Sequence, residues 1–311
     1  MEGCGAKMSK DLFEEQIEKF LNYVRRTKKF SKNTAEAYRN DLEKFVNFLK
    51  KKRITSFSKV DKKLALEYVE FLKSNLKERS VFRNVSSLRG FFNYLRKKKE
   101  YKNENPFSPI KLKKTEDQKP VVLTVKELKK LIRVLNEDGF INLRNKVIVL
   151  FTYSTGLRAT EIINAKVSNL NLRKAVYKCE MNRKRVIPFS KELVPLLRKY
   201  LKERKKFIAS SKSKVKDAGY LFVNKRGRKL TRQTIYIIIQ TAAEDAGLKV
   251  KVTPSVLRNS LSWHLLSSGT NLETLKNIFG YKTIIPNFGK KANVKRVRFD
   301  LLTKHPAFRK K

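Results

Sequence analysis

The sequence has little cysteine and little histidine: Cys4, Cys179, His264 and His305 are all that 311 residues contain. None of the four stands at metal-ligand spacing, which excludes a disulfide scaffold or a zinc site as the organising feature. No apolar run reaches the roughly 18 residues of a membrane span, and the N-terminus lacks the apolar core of a secretory signal. The expectation is a soluble protein of a reducing compartment, cytoplasmic and nucleoid-associated if its partner is DNA. Carboxylates are scarce as well. There are 28 Asp and Glu against 74 Lys and Arg, a formal charge of +46, and the excess runs along the whole chain. Such a chain needs a polyanion, because each phosphate neutralised by Lys or Arg releases condensed counterions. Duplex nucleic acid is the first candidate. On composition alone, a basic RNA-coating protein or a lysine-rich bias from heat adaptation stays open.

The length suits two domains with a core each. Phe13, Ile17, Phe20, Leu21 and Val24 fall on one helix face, and Tyr38, Leu42, Phe45, Val46 and Leu49 on a second, after a cap at Asn33 or Thr34. Val81, Val85, Leu88, Phe92 and Leu95 form a third stripe. The stretch "KKKEYKNENPFSPIKLKKTEDQKP", residues 97–120, has three prolines and no sustained period, so it reads as the linker region. Beyond it, Thr124 and Glu127 have capping-box spacing. "NKVIVLFTYSTG" predicts a buried helix ending at Gly156, and "KAVYKCEMNRKRVIPF" a short hairpin turning near Asn182. A helix through Leu193, Leu196, Leu197, Tyr200 and Leu201 follows. A short strand in "GYLFV", a basic turn at Gly227 and a helix from Thr231 to Gly247 come next. Thr253 with Pro254 starts another helix that stops at Gly269, and Asn271 caps a last one ending at Gly280.

These residues resemble the tyrosine recombinase, or phage integrase, family, most closely its Xer-type branch. "FSKNTAEAYRNDLEKFVNFL", "VFRNVSSLRGFFNYL" and "ENPF" are similar to the family's N-terminal core-binding domain and its exit. "TGLRATEI", "LFVNKRGRKLTRQT", "VTPSVLRNSLSWHLLSSGTNLETLKNIFGYKT" and "KHPAF" follow in family order. The resemblance implies a mainly α protein. A helical, SAM-like core-binding domain would span 1–112, a linker 113–120, and an α-rich catalytic-type domain with a small antiparallel sheet 121–311. It implies a clamp on double-stranded DNA, assembly as a homo- or hetero-oligomer (a tetramer on two duplexes), and neither metal nor cofactor. In the family a tyrosine attacks the scissile phosphate, forms a 3′-phosphotyrosyl bond and releases a 5′-hydroxyl.

That chemistry needs cations on the non-bridging oxygens, an acid for the leaving oxygen and a nucleophile. Arg158 and Arg258 match the family's two phosphate-binding arginines, and guanidinium suits the task because it stays charged and presents paired donors. Glu161 matches a buttressing acid. The other positions depart from the pattern. The hairpin lysine aligns with Glu180, leaving Lys178, two residues earlier on the same strand face, as the substitute. The two histidine positions hold Ser255 and Tyr281, while His264 reads as helix packing. Residues 282–311 contain no tyrosine, and Phe288 is nearest the nucleophile's position. Two readings follow: a cleavage-impaired accessory or regulatory DNA-binding member, working beside an active recombinase, or an active recombinase whose tyrosine is unaligned (Tyr281 included) or donated in trans.

Overall fold

The computed structural model describes residues 4–27, 32–112, 120–181, 183–210 and 217–281. The expected linker residues 113–119, the hairpin-tip Asn182, Phe288 and His305 lie outside the described residues. The chain divides into two compact units, Met1–Asp117 and Gln118–Lys311.

Four helices build the first unit: α1 (Cys4–Thr27), α2 (Lys32–Lys51), α3 (Lys62–Asn75) and α4 (Glu78–Lys97). The three expected stripes are its core, with only Tyr38 partly buried. Helix α3 adds a stripe that the sequence reading did not single out, with Leu64, Ala65, Tyr68, Val69 and Leu72 buried. Its cap is Asp61, whose carboxylate accepts from the Leu64 N–H at 2.8 Å. Helix α2 begins at Lys32, so Asn33 and Thr34 lie within it rather than capping it.

Residues 98–112 are irregular, as the prolines require, but they are no linker. Tyr101, Phe107 and Ile110 are buried in the first core. Arg89 of α4 donates to the Phe107 carbonyl at 3.2 Å and the Ile110 carbonyl at 2.9 Å, and Asn105 donates to the Arg89 carbonyl at 2.9 Å. Backbone groups that would be costly to bury are thereby satisfied. Composition alone reads a Pro-rich, charged stretch as loose, and three well-spaced apolar anchors override it.

Among the described residues, one carboxylate sits inside this unit. Asp41 of α2 is fully buried and accepts from Arg83 Nη1 at 2.6 Å, Asn84 Nδ2 at 3.1 Å and Ser87 Oγ at 3.2 Å, all on α4. A buried polar group paired in this way fixes the register of two helices.

The second unit contains α5 (Val125–Arg133), α6 (Gly139–Thr155), the short α7 (Ala159–Ile163), β1 (Leu170–Asn171), β2 (Val176–Cys179), β3 (Arg185–Pro188), α8 (Val194–Ala209), α9 (Arg232–Asp245), α10 (Pro254–Ser267) and α11 (Leu272–Phe279). Thr124 and Glu127 form the expected capping box. Thr231, Thr253 and Asn271 cap α9, α10 and α11. Helix α6 is buried along most of its length and packs against α8, α9 and α10. The sheet is antiparallel in the order β1-β2-β3, with Lys178 opposite Val186 and Cys179 opposite Arg185. The strand expected in "GYLFV" is reduced to isolated bridges, Lys166 with Tyr220 and Val223 with Lys229. No helix among the described residues is long and apolar enough to cross a membrane.

Burial raises the Asp41 pKa above its ordinary 3.8, with Arg83 opposing the shift. Folding therefore favours the protonated form, and that contribution is present below pH 3.8 and lost as pH rises through the raised value. The stability of Asp41→Asn relative to the parent should accordingly increase with pH over that window and then level off. Urea midpoints measured from pH 3.5 to 7 test this, and a constant difference would contradict it.

Candidate active site

The apolar helix α6 has to stop where the chain turns toward solvent, and Gly156 stops it in the left-handed conformation, φ +60°. A Cβ at Gly156 would overlap the Phe279 ring and lie 3.2 Å from Leu261 Cδ2, so the end of α6 meets α10 and α11 here. Leu157 is buried, and Arg158 then sits at the start of α7. One turn on, the Glu161 carboxylate folds back under it.

Glu161 is buried and accepts four hydrogen bonds, two on each oxygen. The Arg158 N–H donates to Oε2 at 2.8 Å and Arg158 Nη1 to Oε1 at 3.3 Å. Arg185 of β3 closes a bidentate pair, Nη1 to Oε1 at 3.0 Å and Nη2 to Oε2 at 2.9 Å. Both Arg185 and Glu161 are desolvated, with side chains 7% and 1% exposed, while Arg158 is 38% exposed. Arg158 is thus tethered through its backbone and one Nη1 contact, and its guanidinium stays partly exposed to another anion.

Arg258 enters from the first turns of α10. It is 5% exposed, and its guanidinium donates to the carbonyls of Gly156 and Phe279, the latter at 2.6 Å. Its carbon lies 4.8 Å from the Phe279 ring centre and 4.9 Å from that of Tyr281. Burial pushes its pKa down to about 10, which leaves it charged at neutral pH. Among the described residues no carboxylate lies at ion-pair distance from it. Among the described residues, Arg158 and Arg185 share the one carboxylate of Glu161, and Arg258 is held by backbone carbonyls instead.

Arg158 and Arg258 line one cavity of about 680 Å³, together with Thr160, Thr231, Arg232 and Ser255. The lining contains no Asp or Glu, and the N-terminal turns of α9 and α10 border it, with N–H groups that favour an anion. Ser255, exposed at the lip, occupies the first histidine position.

The hairpin does not bring its expected lysine to this cluster. Strand alternation buries Tyr177 and Cys179 and exposes Lys178, whose cross-strand neighbour Val186 is 58% exposed. The face toward Glu161 is that of Cys179, whose Sγ lies 3.3 Å from Arg185 Nη1. Glu180 is exposed just past the strand end. Tyr281, at the second histidine position, is partly buried, stacks on Phe279 at 5.6 Å and lies against Arg258. His264 is a packing residue: it is buried, its Nδ1 is 2.7 Å from the Tyr153 hydroxyl, and burial lowers its pKa.

Two arginines of the hydrogen-bond network around Glu161 and Tyr281 escaped the sequence reading. Arg185 shares the inward face of β3 with buried Ile187, and an inward arginine on a strand demands a carboxylate, which was the available signal. Arg183 at the hairpin tip donates to the Tyr281 carbonyl at 2.9 Å; no local pattern marks that contact.

A helical unit that gathers arginines on an open cavity without a carboxylate in its lining defines a class, an anion-receiving domain suited to phosphate. Comparison with known proteins narrows it. Residues 121–285 match the phage integrase family, and residues 17–99 match the phage integrase N-terminal SAM-like domain. The chain belongs to the phage integrase family. It is 31% identical over 277 residues to a protein of Caldanaerobacter subterraneus subsp. tengcongensis described as a tyrosine recombinase, covering 89% of this chain and 91% of that one. It is 29% identical over 272 residues to the tyrosine recombinase XerD of Listeria monocytogenes, covering 86% and 90%. In fold it is similar to the Tn1549 transposon integrase solved in complex with circular intermediate DNA, with a TM-score of 0.68, 19% identity and coverage of 86% and 92%.

Glu161→Gln should cost about 3 kcal/mol, because it leaves Arg185 buried without a full counter-charge. Arg158→Ala, removing a partly exposed partner, should cost less than about 1 kcal/mol. Denaturant unfolding of the two variants tests the order, and equal losses would contradict the assignment of Arg185 as the main partner. Gly156→Ala combines left-handed strain with overlap against Phe279 and should lose about 3 kcal/mol.

Proposed function

We propose that this chain is a double-stranded DNA-binding member of the family, working in site-specific recombination or integration, that seats a DNA phosphodiester between Arg158 and Arg258 and does not itself cleave it. The observation that carries this reading is the cavity lined by Arg158, Arg232 and Arg258 with no carboxylate in its wall. The phosphate oxygens take the free donors of Arg158 and of buried Arg258, whose desolvated charge interacts strongly with an anion. The rest of the +46 charge supplies distributed backbone contacts, which give affinity without chemistry.

Cleavage asks for more. A general acid must meet the leaving oxygen, and a nucleophile must approach in line. Lys178 stands on the solvent face of its strand, Glu180 would repel a phosphate, and Ser255 has no basic group to offer. No tyrosine follows Tyr281 in the sequence. The chain then serves as an accessory or regulatory subunit, joining an active recombinase in an oligomer on DNA, in the cytoplasm with the nucleoid. A second reading keeps the enzyme active. Tyr281, set against Arg258, is the tyrosine best placed to replace the nucleophile, unless one is donated in trans.

Incubation with a nicked duplex that traps 3′-phosphotyrosyl intermediates separates the two readings on a denaturing gel. The expected result is no adduct with the chain alone, and a retarded band on the native gel. An adduct mapped to Tyr281 would establish the second reading. Binding should fall steeply with salt, and Arg158→Ala should reduce the slope of log K against log salt by about 1. Tighter binding to structured RNA than to duplex would instead support an RNA-coating protein.

A further inference from the structure

Helix α11 ends on Gly280 in the left-handed conformation, φ +62°, and its last carbonyls point where the helix dipole is negative. Arginines from the β2–β3 hairpin and from α10 meet them and the Tyr281 carbonyl just beyond the helix. Arg185 Nε donates to the Ile278 carbonyl at 2.8 Å, Arg258 Nη2 to the Phe279 carbonyl at 2.6 Å, and Arg183 Nη1 to the Tyr281 carbonyl at 2.9 Å. A Cβ at Gly280 would lie 3.3 Å from Arg185 Cζ, so glycine also lets the guanidinium lie flat on the turn. The helix end is held by side chains from the β2–β3 hairpin and from α10, over and above its own capping bonds.

Two of the three holders are wired to the cavity. Arg258 lines the cavity and grips Phe279. Arg185 shares Glu161 with Arg158, which also lines the cavity. An anion on the remaining donors of Arg158 and Arg258 polarises and repositions the guanidinium groups that also serve Glu161 and the Phe279 carbonyl, so the two ends of the network are coupled.

We propose that Arg183 and Arg185 are positioning residues that clamp the end of α11, from which residues 282–311 continue, and that occupation of the phosphate seat alters the exchange protection of this clamp through Glu161 and Arg258. The coupling rests on the reading of Arg158 and Arg258 as a phosphate seat; the clamp itself does not. The device links DNA contact to the element that launches the chain's last segment, and it needs no cleavage to operate.

Hydrogen exchange of the full-length protein, followed in peptides covering residues 272–281, tests both parts. Without DNA, Arg183→Ala should raise exchange there by about fivefold, the equilibrium worth of one lost hydrogen bond, with the thermal midpoint unchanged because Arg183 is exposed. Arg185→Lys, which keeps the charge on Glu161 and loses the fork, should raise exchange there at least as much and also lower the thermal midpoint, because that pair is buried. Adding a 30-bp duplex at low salt should change exchange in these peptides by a similar factor in the parent. In Arg158→Ala, which cuts the route through Glu161 and leaves the one through Arg258, that response should shrink, while a weakened gel shift persists through the other basic contacts. Unchanged exchange in both hairpin variants would overturn the clamp. A duplex that shifts on the gel but leaves residues 272–281 unaffected would overturn the coupling. Failure of the duplex to bind would overturn the phosphate reading and the coupling with it, and the clamp would then be judged on the DNA-free comparison.

Discussion

The second unit depends on one buried carboxylate. Glu161 accepts from the backbone and guanidinium of Arg158 and from both Nη atoms of Arg185. That arrangement joins the start of α7 to β3 and makes a buried arginine tolerable. It also fixes the balance of charge at the cavity. One carboxylate cannot neutralise Arg158, Arg185 and Arg258 together, and on the proposed reading this surplus is what draws an anion. Replacing the carboxylate with an amide keeps the shape and destroys that balance, so stability and anion recognition share one residue.

On the proposed reading, binding and chemistry part company in this arrangement. Recognition of a phosphodiester needs positive charge and donors, and the chain has both in quantity. Bond breaking needs a proton donor and a nucleophile placed within hydrogen-bond reach. The positions that would provide them hold Glu180, Ser255, Tyr281 and, outside the described residues, Phe288. A domain can lose the second set without disturbing the first, because Glu161, Arg185 and the capping glycines that hold the cavity together are separate from the groups that would transfer protons.

Much of this was legible in the sequence, for reasons particular to each element. Thr124 with Glu127, Thr231, Thr253 with Pro254, and Asn271 are local capping signals, and the helices start where they stand. Gly156 and Gly280 end helices because only glycine takes that backbone without strain. Arg158 and Arg258 are far apart in sequence and were found through motif resemblance, and the structure brings both to one cavity. What escaped was long-range. The contact of Arg183 with the Tyr281 carbonyl spans 98 positions and leaves no periodic trace. Lys178 was chosen by strand parity alone, which says that it shares a face with Glu180 but not which face is buried; the pairing of Arg185 with Cys179 decides that. The stretch before residue 113 misled through composition, since its prolines and charges hide Tyr101, Phe107 and Ile110.

The most direct test of the central claim is a crystal structure of this protein on a nicked duplex carrying a scissile-type phosphate. The account predicts one phosphate within about 3 Å of guanidinium nitrogens of both Arg158 and Arg258, with Glu161 still paired to Arg185 and no covalent link to the protein. A duplex that bypasses the cavity, or a phosphate joined to a tyrosine, would contradict it.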